Sequence, residues 1–136
     1  MQKRSGAWYR ANPQTWTVVQ LQKSQYGQSY YVNVGFWLRV AGDDHPPPEH
    51  HFHIRIRLNA LLPDPGDEVE ELLDLENGIP EPARRERLTQ ILRDMLQPFL
   101  ERGSTLAGLR DMHKEGVFQG AAVRGEALTQ LNASVA

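Results

Sequence analysis

Residues His50 to Leu58, His-His-Phe-His-Ile-Arg-Ile-Arg-Leu, constrain the fold more than any other stretch. They alternate: Phe52, Ile54, Ile56 and Leu58 fall on one side, His51, His53, Arg55 and Arg57 on the other. A period of two marks a half-buried strand, because successive side chains leave a sheet on opposite faces. One face of this strand is apolar and must be covered. The other carries two imidazoles and two guanidiniums in a row. That is more basic chemistry than a solvated face requires, and the row is the leading site candidate.

Upstream, the same reading gives three more strands. Ala7-Trp-Tyr-Arg is a short one, followed by a turn at Asn12-Pro-Gln, where Pro presets φ. Trp16 to Lys23 is the second, rich in residues that suit a pleated surface. Ser24-Gln-Tyr-Gly-Gln is a loop with Gly27 as its special residue. Ser29 to Val40 is a long strand with Tyr30, Val32, Val34, Phe36 and Leu38 on one face. Tyr31, Asn33, Gly35, Trp37 and Arg39 share its other face. Ala41 to Glu49, with Pro46-Pro-Pro, is an irregular connection.

After Leu61 the period changes. Acids from Asp67 to Glu71 suit a helix start, and Gly78 and Pro80 stop that helix. Leu88, Ile91, Leu92, Met95, Leu96, Phe99 and Leu100 recur at helical steps. Pro98 lies inside that run and predicts a kink or stop near Leu96. Ser104 is a candidate cap for a last helix with Leu106, Leu109 and Met112, ended by Gly116. Strands first and helices after make an α+β fold: an antiparallel meander of about four strands, with two to three C-terminal helices packed on one face. Residues 1–116 form one domain, and 117–136 read as a weakly structured tail.

Composition excludes several chemistries. The chain has 136 residues and no cysteine, so disulfides, thiolate nucleophiles and Cys-ligated metals are out. No apolar run approaches the roughly 20 residues of a membrane span. Met1-Gln-Lys-Arg-Ser-Gly has charge but no apolar stretch behind it, unlike a secretory signal, so a cytoplasmic location is expected. Charge is divided: residues 1–60 hold seven Lys/Arg and three Asp/Glu, net +4, whereas 61–136 hold eight and fourteen, net −6. Complementarity between the halves and solvated helix faces account for most of this.

Trp8-Tyr-Arg, Val18-Val-Gln-Leu-Gln-Lys-Ser24, Tyr31-Val-Asn-Val-Gly35 and Arg55-Ile-Arg57 together resemble the bacterial domain of unknown function 4304 family, from Trp8 to about Gly116. The resemblance implies a fold and no assigned activity. It also implies a helix ahead of a Gly-Phe-Lys-Lys-like turn, and Met1 to Gly6 fall inside that turn. The expectation is therefore a family helix that is upstream or lost, leaving sheet surface exposed for homodimerisation.

Three constellations carry candidate chemistry. His51 and His53 share a sheet face, with His45, Asp43 or Asp44 as further ligands for zinc or nickel. No third ligand is fixed, and a solvated, partly stacked pair is the favoured reading, with no metal or cofactor. Arg55 and Arg57 lie near Arg39, Tyr31 and Trp37, an arrangement that can bind single strands. The usual RNA-binding aromatic order is absent and the pI of about 6.2 opposes nucleic acid. Pairing with the acidic helices or packing on Trp37 is the simpler role. Gln20, Gln22, Lys23 and Asn33 are either amides closing hydrogen bonds at a strand end or a polar pocket for a peptide or small ligand.

No Gly-x-Ser-x-Gly elbow, phosphate-cradling loop or His-Glu-x-x-His occurs. The expected function is a noncatalytic protein-binding module, with a toxin-neutralising (immunity-like) role as one version. It would use the face centred on Trp37, His51, His53, Arg55 and Arg57. The alternative is a His-dependent, metal-assisted hydrolase or nuclease-like enzyme.

Overall fold

The computed structural model of the chain describes residues 2–4, 6–39, 45–62 and 68–132. Among the described residues, six strands form one antiparallel sheet in chain order. They are β1 (Gln2–Arg4), β2 (Ala7–Ala11), β3 (Thr15–Lys23), β4 (Tyr30–Leu38), β5 (Ile54–Arg57) and β6 (Ala122–Val123). The four expected strands make the body of a meander. Two short ones, β1 and β6, add an edge on each side.

The β2–β3 turn is closed by its own sequence. Asn12 N–H donates to Thr15 O at 2.8 Å. The Asn12 carboxamide donates to Thr15 Oγ1 and Thr17 Oγ1, both at 3.0 Å. Thr15 Oγ1 in turn donates to Gly103 O at 2.9 Å. All three side chains are buried, so the chain of bonds is what makes their burial tolerable.

The helices are α1 (Glu68–Leu72), α2 (Glu81–Ile91), α3 (Gln97–Arg102), α4 (Leu106–Lys114) and α5 (Gly125–Asn132). Their apolar sides meet Val34, Phe36, Ile54, Ile56 and Leu58 in the main core. Arg84, almost fully buried, donates to the carbonyls of Leu72, Asp74 (3.0 Å) and Ile79 (3.4 Å). It thereby satisfies orphan acceptors at the end of α1. That helix is shorter than expected: past its end Asp74 forms an isolated bridge with Ser29, just ahead of β4.

Three helical expectations are corrected. Pro98 does not stop the helix at Leu96. A π turn at Leu92–Leu96 widens the ladder, with Gln97 N–H reaching Leu92 O, and the helix runs on to Arg102. The widening frees room for a ring that would crowd the carbonyl four residues back. Leu92, at the start of that turn, is 42% exposed. Thr105, not Ser104, caps α4: its Oγ1 accepts Gly108 N–H at 3.0 Å, while Ser104 Oγ donates to Glu101 O at 2.6 Å. The loose tail is not loose through residue 132. β6 pairs Val123 with Ile54, and α5 buries Ala127 and Leu131 in the main core. Val123, Ala127 and Leu131 do recur at steps of four, but one small residue and a short run made that a weak signal.

The alternating strand is shorter than its pattern. Glu49–His51 is a 3-10 turn, and β5 starts only at Ile54. Phe52 therefore does not join Ile54 and Ile56. It belongs to a second cluster on the other face, with Ala7, Tyr9, Trp16 and Val18. Gly35 makes the space. A Cβ there would meet Val18 Cγ1 at 2.9 Å and Phe52 Cδ2 at 3.1 Å.

Arg87 grips Glu68, and Arg102 grips Glu115, through paired N–H bonds. Those bonds hold both carboxyls below their ordinary value. A depressed carboxyl stabilises above its unfolded value, and that contribution goes as pH falls through the folded one. On exposed groups the effect is small and screened by salt.

Two substitutions test the packing. Leu131→Ala is expected to lower unfolding free energy by about 2–4 kcal/mol in urea melts; no loss would mean the segment is not anchored. Gly35→Ala is expected to cost about 1–3 kcal/mol by overpacking.

Candidate functional site

The helices cover one face of the sheet. On the other, the register lines up Gln20, Asn33 and Arg57 across β3, β4 and β5, with Gln22 beside Tyr31 and Gly35 beside Arg55. This face has two halves. At one end the second cluster closes over Trp16, Val18 and Phe52. At the other lies a polar surface built from Gln20, Gln22, Asn33, Arg55 and Arg57.

Asn33 organises the polar half. It is 5% exposed, and its Nδ2 donates to Gln20 Oε1 at 3.0 Å and Gln22 Oε1 at 2.8 Å. Both glutamine carbonyls are thus turned inward and both Nε2 groups outward, as donors. Arg57 is exposed, and its guanidinium lies 4.1 Å over the Tyr31 ring. That contact holds a cation in place by its attraction to the ring face.

Arg55 behaves differently. Its Nε and Nη2 donate to Glu49 Oε1 and Oε2, at 2.9 and 3.1 Å. Glu49 is 4% exposed. A carboxylate so deeply placed needs both oxygens satisfied, and the guanidinium fork does this. The pair pins the 3-10 turn to the sheet. Between Asn33, Glu49, Arg55, Arg57 and Asn59 a shallow cleft of about 370 Å³ remains.

The histidines separate. His51 is exposed on the 3-10 turn, its ring 4.2 Å from that of His50. It does not share a sheet face with His53, because it precedes the strand. His53 is nearly buried and stacks on Trp37 at 3.7 Å, with the rings within 9° of parallel. Leu38 N–H donates to His53 Nδ1 at 2.9 Å. A backbone N–H can only donate, so Nδ1 is the acceptor and the neutral ring carries its proton on Nε2. Among the described residues no group of three His, Asp or Glu is placed to hold a metal. The other suggested ligands, Asp43 and Asp44, lie outside the described residues.

Of the remaining sequence candidates, Arg39 donates to Asn12 O at 2.6 Å and lies over Trp16, tying the end of β4 to the β2–β3 turn. Lys23 is exposed at the end of β3. The structure thus brings Gln20, Gln22, Asn33, Arg55 and Arg57 together, and places Arg39 and His51 elsewhere. Sequence reasoning placed Tyr31 near Arg55 and Arg57 but did not pair it with Arg57, and it passed over Glu49 as a site residue. Glu49 had a signal: it is the one acid between His45 and Ala60, a stretch that holds two arginines.

Comparison with known proteins gives one match. The model of a family described as a domain of unknown function (DUF4304) matches residues 2–102. The chain belongs to the DUF4304 family. No curated protein and no solved structure matches it. The DUF4304 match starts earlier and ends earlier than the resemblance read from the motifs. It takes in β1, which forms where a turn was expected, and leaves α4, β6 and α5 outside. No described helix of this DUF4304 chain is long and apolar enough to cross a membrane.

Two measurements check this geometry. Glu49→Gln is expected to lower stability by about 1–3 kcal/mol, whereas Arg57→Ala is expected to cost under about 1 kcal/mol; equal costs would contradict the division of roles. Nitrogen-15 spectra of the neutral His53 ring are expected to place the proton on Nε2, and a proton on Nδ1 would refute the Leu38 bond.

Proposed function

We propose that this chain is a cytoplasmic, noncatalytic protein-binding module whose partner docks on the polar half of the open sheet face. The observation that carries this reading is Arg57, exposed and laid over Tyr31, while its neighbour Arg55 is held by Glu49. A preplaced Arg–Tyr pair loses little freedom on binding, and these two residue types recur as interface anchors. Around it, Gln20 and Gln22 present donors oriented by Asn33. Such a donor-rich, cationic patch fits an acidic protein segment. A toxin-neutralising role is one specific form.

The hydrolase reading has weaker support. His53 has its Nδ1 engaged by a backbone amide, so its ring lacks the lone pair a general base needs. His51 has an exposed imidazole beside it and no carboxylate partner among the described residues.

Arg57→Glu is the proper probe, since Arg55→Glu would break the pair with Glu49 and confound folding with binding. In affinity capture from native lysate, the wild type is expected to retain one stoichiometric protein. Arg57→Glu should lose it, with an unchanged melting curve. The same pair should then differ by at least about tenfold in affinity for the purified partner. Retention by the mutant would rule out this face. Self-association abolished by Arg57→Glu in sedimentation would instead identify the partner as a second copy of the chain.

A further inference from the structure

The shallow cleft between Asn33 and Arg57 lies within the polar half of the sheet face. Its charge is simple. Glu49 and Arg55 also line it, but they take up each other's charge through paired bonds. Arg57 is left as the uncompensated charge among the lining residues. Glu70 lines a smaller space on the Tyr31 side of Arg57, and no ion pair joins the two among the described residues.

The backbone adds a donor. Arg124 N–H donates to His53 O at 2.8 Å, and β6 pairs Ala122 with Arg55. Bonding pairs alternate along an antiparallel ladder, so His53, Arg55 and Arg57 turn their backbone groups toward β6. Opposite Arg57 that ladder has ended, because Gly120 belongs to the 3-10 turn Val117–Gly120. The Arg57 N–H thus faces the cleft with no backbone acceptor among the described residues. The Arg57 guanidinium, held over Tyr31, brings further N–H groups to the same place.

An acceptor stands across from them. Asn33 Nδ2 spends both hydrogens on Gln20 and Gln22, on the β3 side. The two heads of a carboxamide point apart, so Asn33 Oδ1 faces the β5 side, where Arg57 is its cross-strand neighbour. Much of the remaining lining is small: Ala60, Gly120 and Ala122. A Cβ on Gly120 would only touch that of Ala60, at 3.9 Å.

Donors on one wall and an acceptor on the other suit a group that carries a negative charge and an N–H a few bonds apart. The last residue of a peptide is such a group, since its carboxylate and its amide N–H share one Cα. Taking the polar half as the docking surface, we propose that the partner inserts its C-terminal residue into this cleft. The carboxylate takes the N–H groups of Arg57. The amide N–H donates to Asn33 Oδ1, and a small terminal side chain lies against Ala60 and Gly120.

Acetyl-dialanine with a free carboxylate is the probe, titrated into the full chain and followed by NMR. Two controls run beside it: the same peptide as its C-terminal amide, and acetyl-aspartyl-amide, whose carboxylate is on the side chain. The free acid is expected to give saturable shifts at the Arg57 and Gly120 amides. For so small a molecule the dissociation constant should fall in the range of about 1–10 mM. Both controls should bind about tenfold more weakly or worse. Gly120→Val should fill the cleft and abolish the shifts. Equal binding by either control would overturn the proposal, and that comparison uses the wild type, so it decides even if Gly120→Val proves unstable. The docking surface and the chain-end site fail separately. A captured partner lost by Arg57→Glu, with acid and amide bound alike, would overturn the chain-end site and leave the docking surface standing. Selective binding of the free acid with no partner captured would uphold the site and remove the docking surface.

Discussion

The carboxylate of Glu49 is tolerated beneath its own loop because Arg55 supplies an N–H to each of its oxygens. Much follows from that one pair. It fastens the Glu49–His51 turn to the sheet, and the next residue, Phe52, is delivered over Gly35. Phe52 completes the second cluster with Tyr9 and Val18. With it in place, His53 reaches the end of β4, accepts Leu38 N–H and stacks on Trp37. Removing either charge would leave its partner without compensation and loosen a loop that closes one half of the sheet.

The division of the open face follows from the same geometry. β4 is buried on both sides at Gly35 and Phe36, one against Phe52 and the other against Phe99. Two residues nearer its start, Asn33 is surrounded by amides and arginines instead. A single strand thus runs from a closed apolar end to a polar end. That gradient, and not the histidine row, divides the face chemically.

Much of the architecture was legible in the residues because period and turn chemistry agreed. Val34, Phe36 and Ile54 to Leu58 alternate as a core face should, and Asn12-Pro-Gln closes the first long hairpin. Legibility failed where three residues break the period by folding into a 3-10 turn. The apparent run through Phe52 then carried the alternation two residues too far. It failed again at α5, where Ala127 and Leu131 are buried by contacts with distant elements. The polar row of Gln20, Gln22, Asn33 and Arg57 was readable from face-sharing alone. The capture of Arg55 by Glu49 was not, since it depends on how the turn folds back.

The C-terminal strand has a kinetic consequence. The first three hairpins of the meander close short loops, which are cheap in chain entropy, whereas Ile54 must find Val123 about 70 residues later. Local pairing can therefore outrun that long closure. Until α5 arrives, the floor that receives Ala127 and Leu131 lies open to water. A chain whose sheet pairs before α5 docks exposes that apolar surface, and exposed surface of this kind is where aggregation competes with folding.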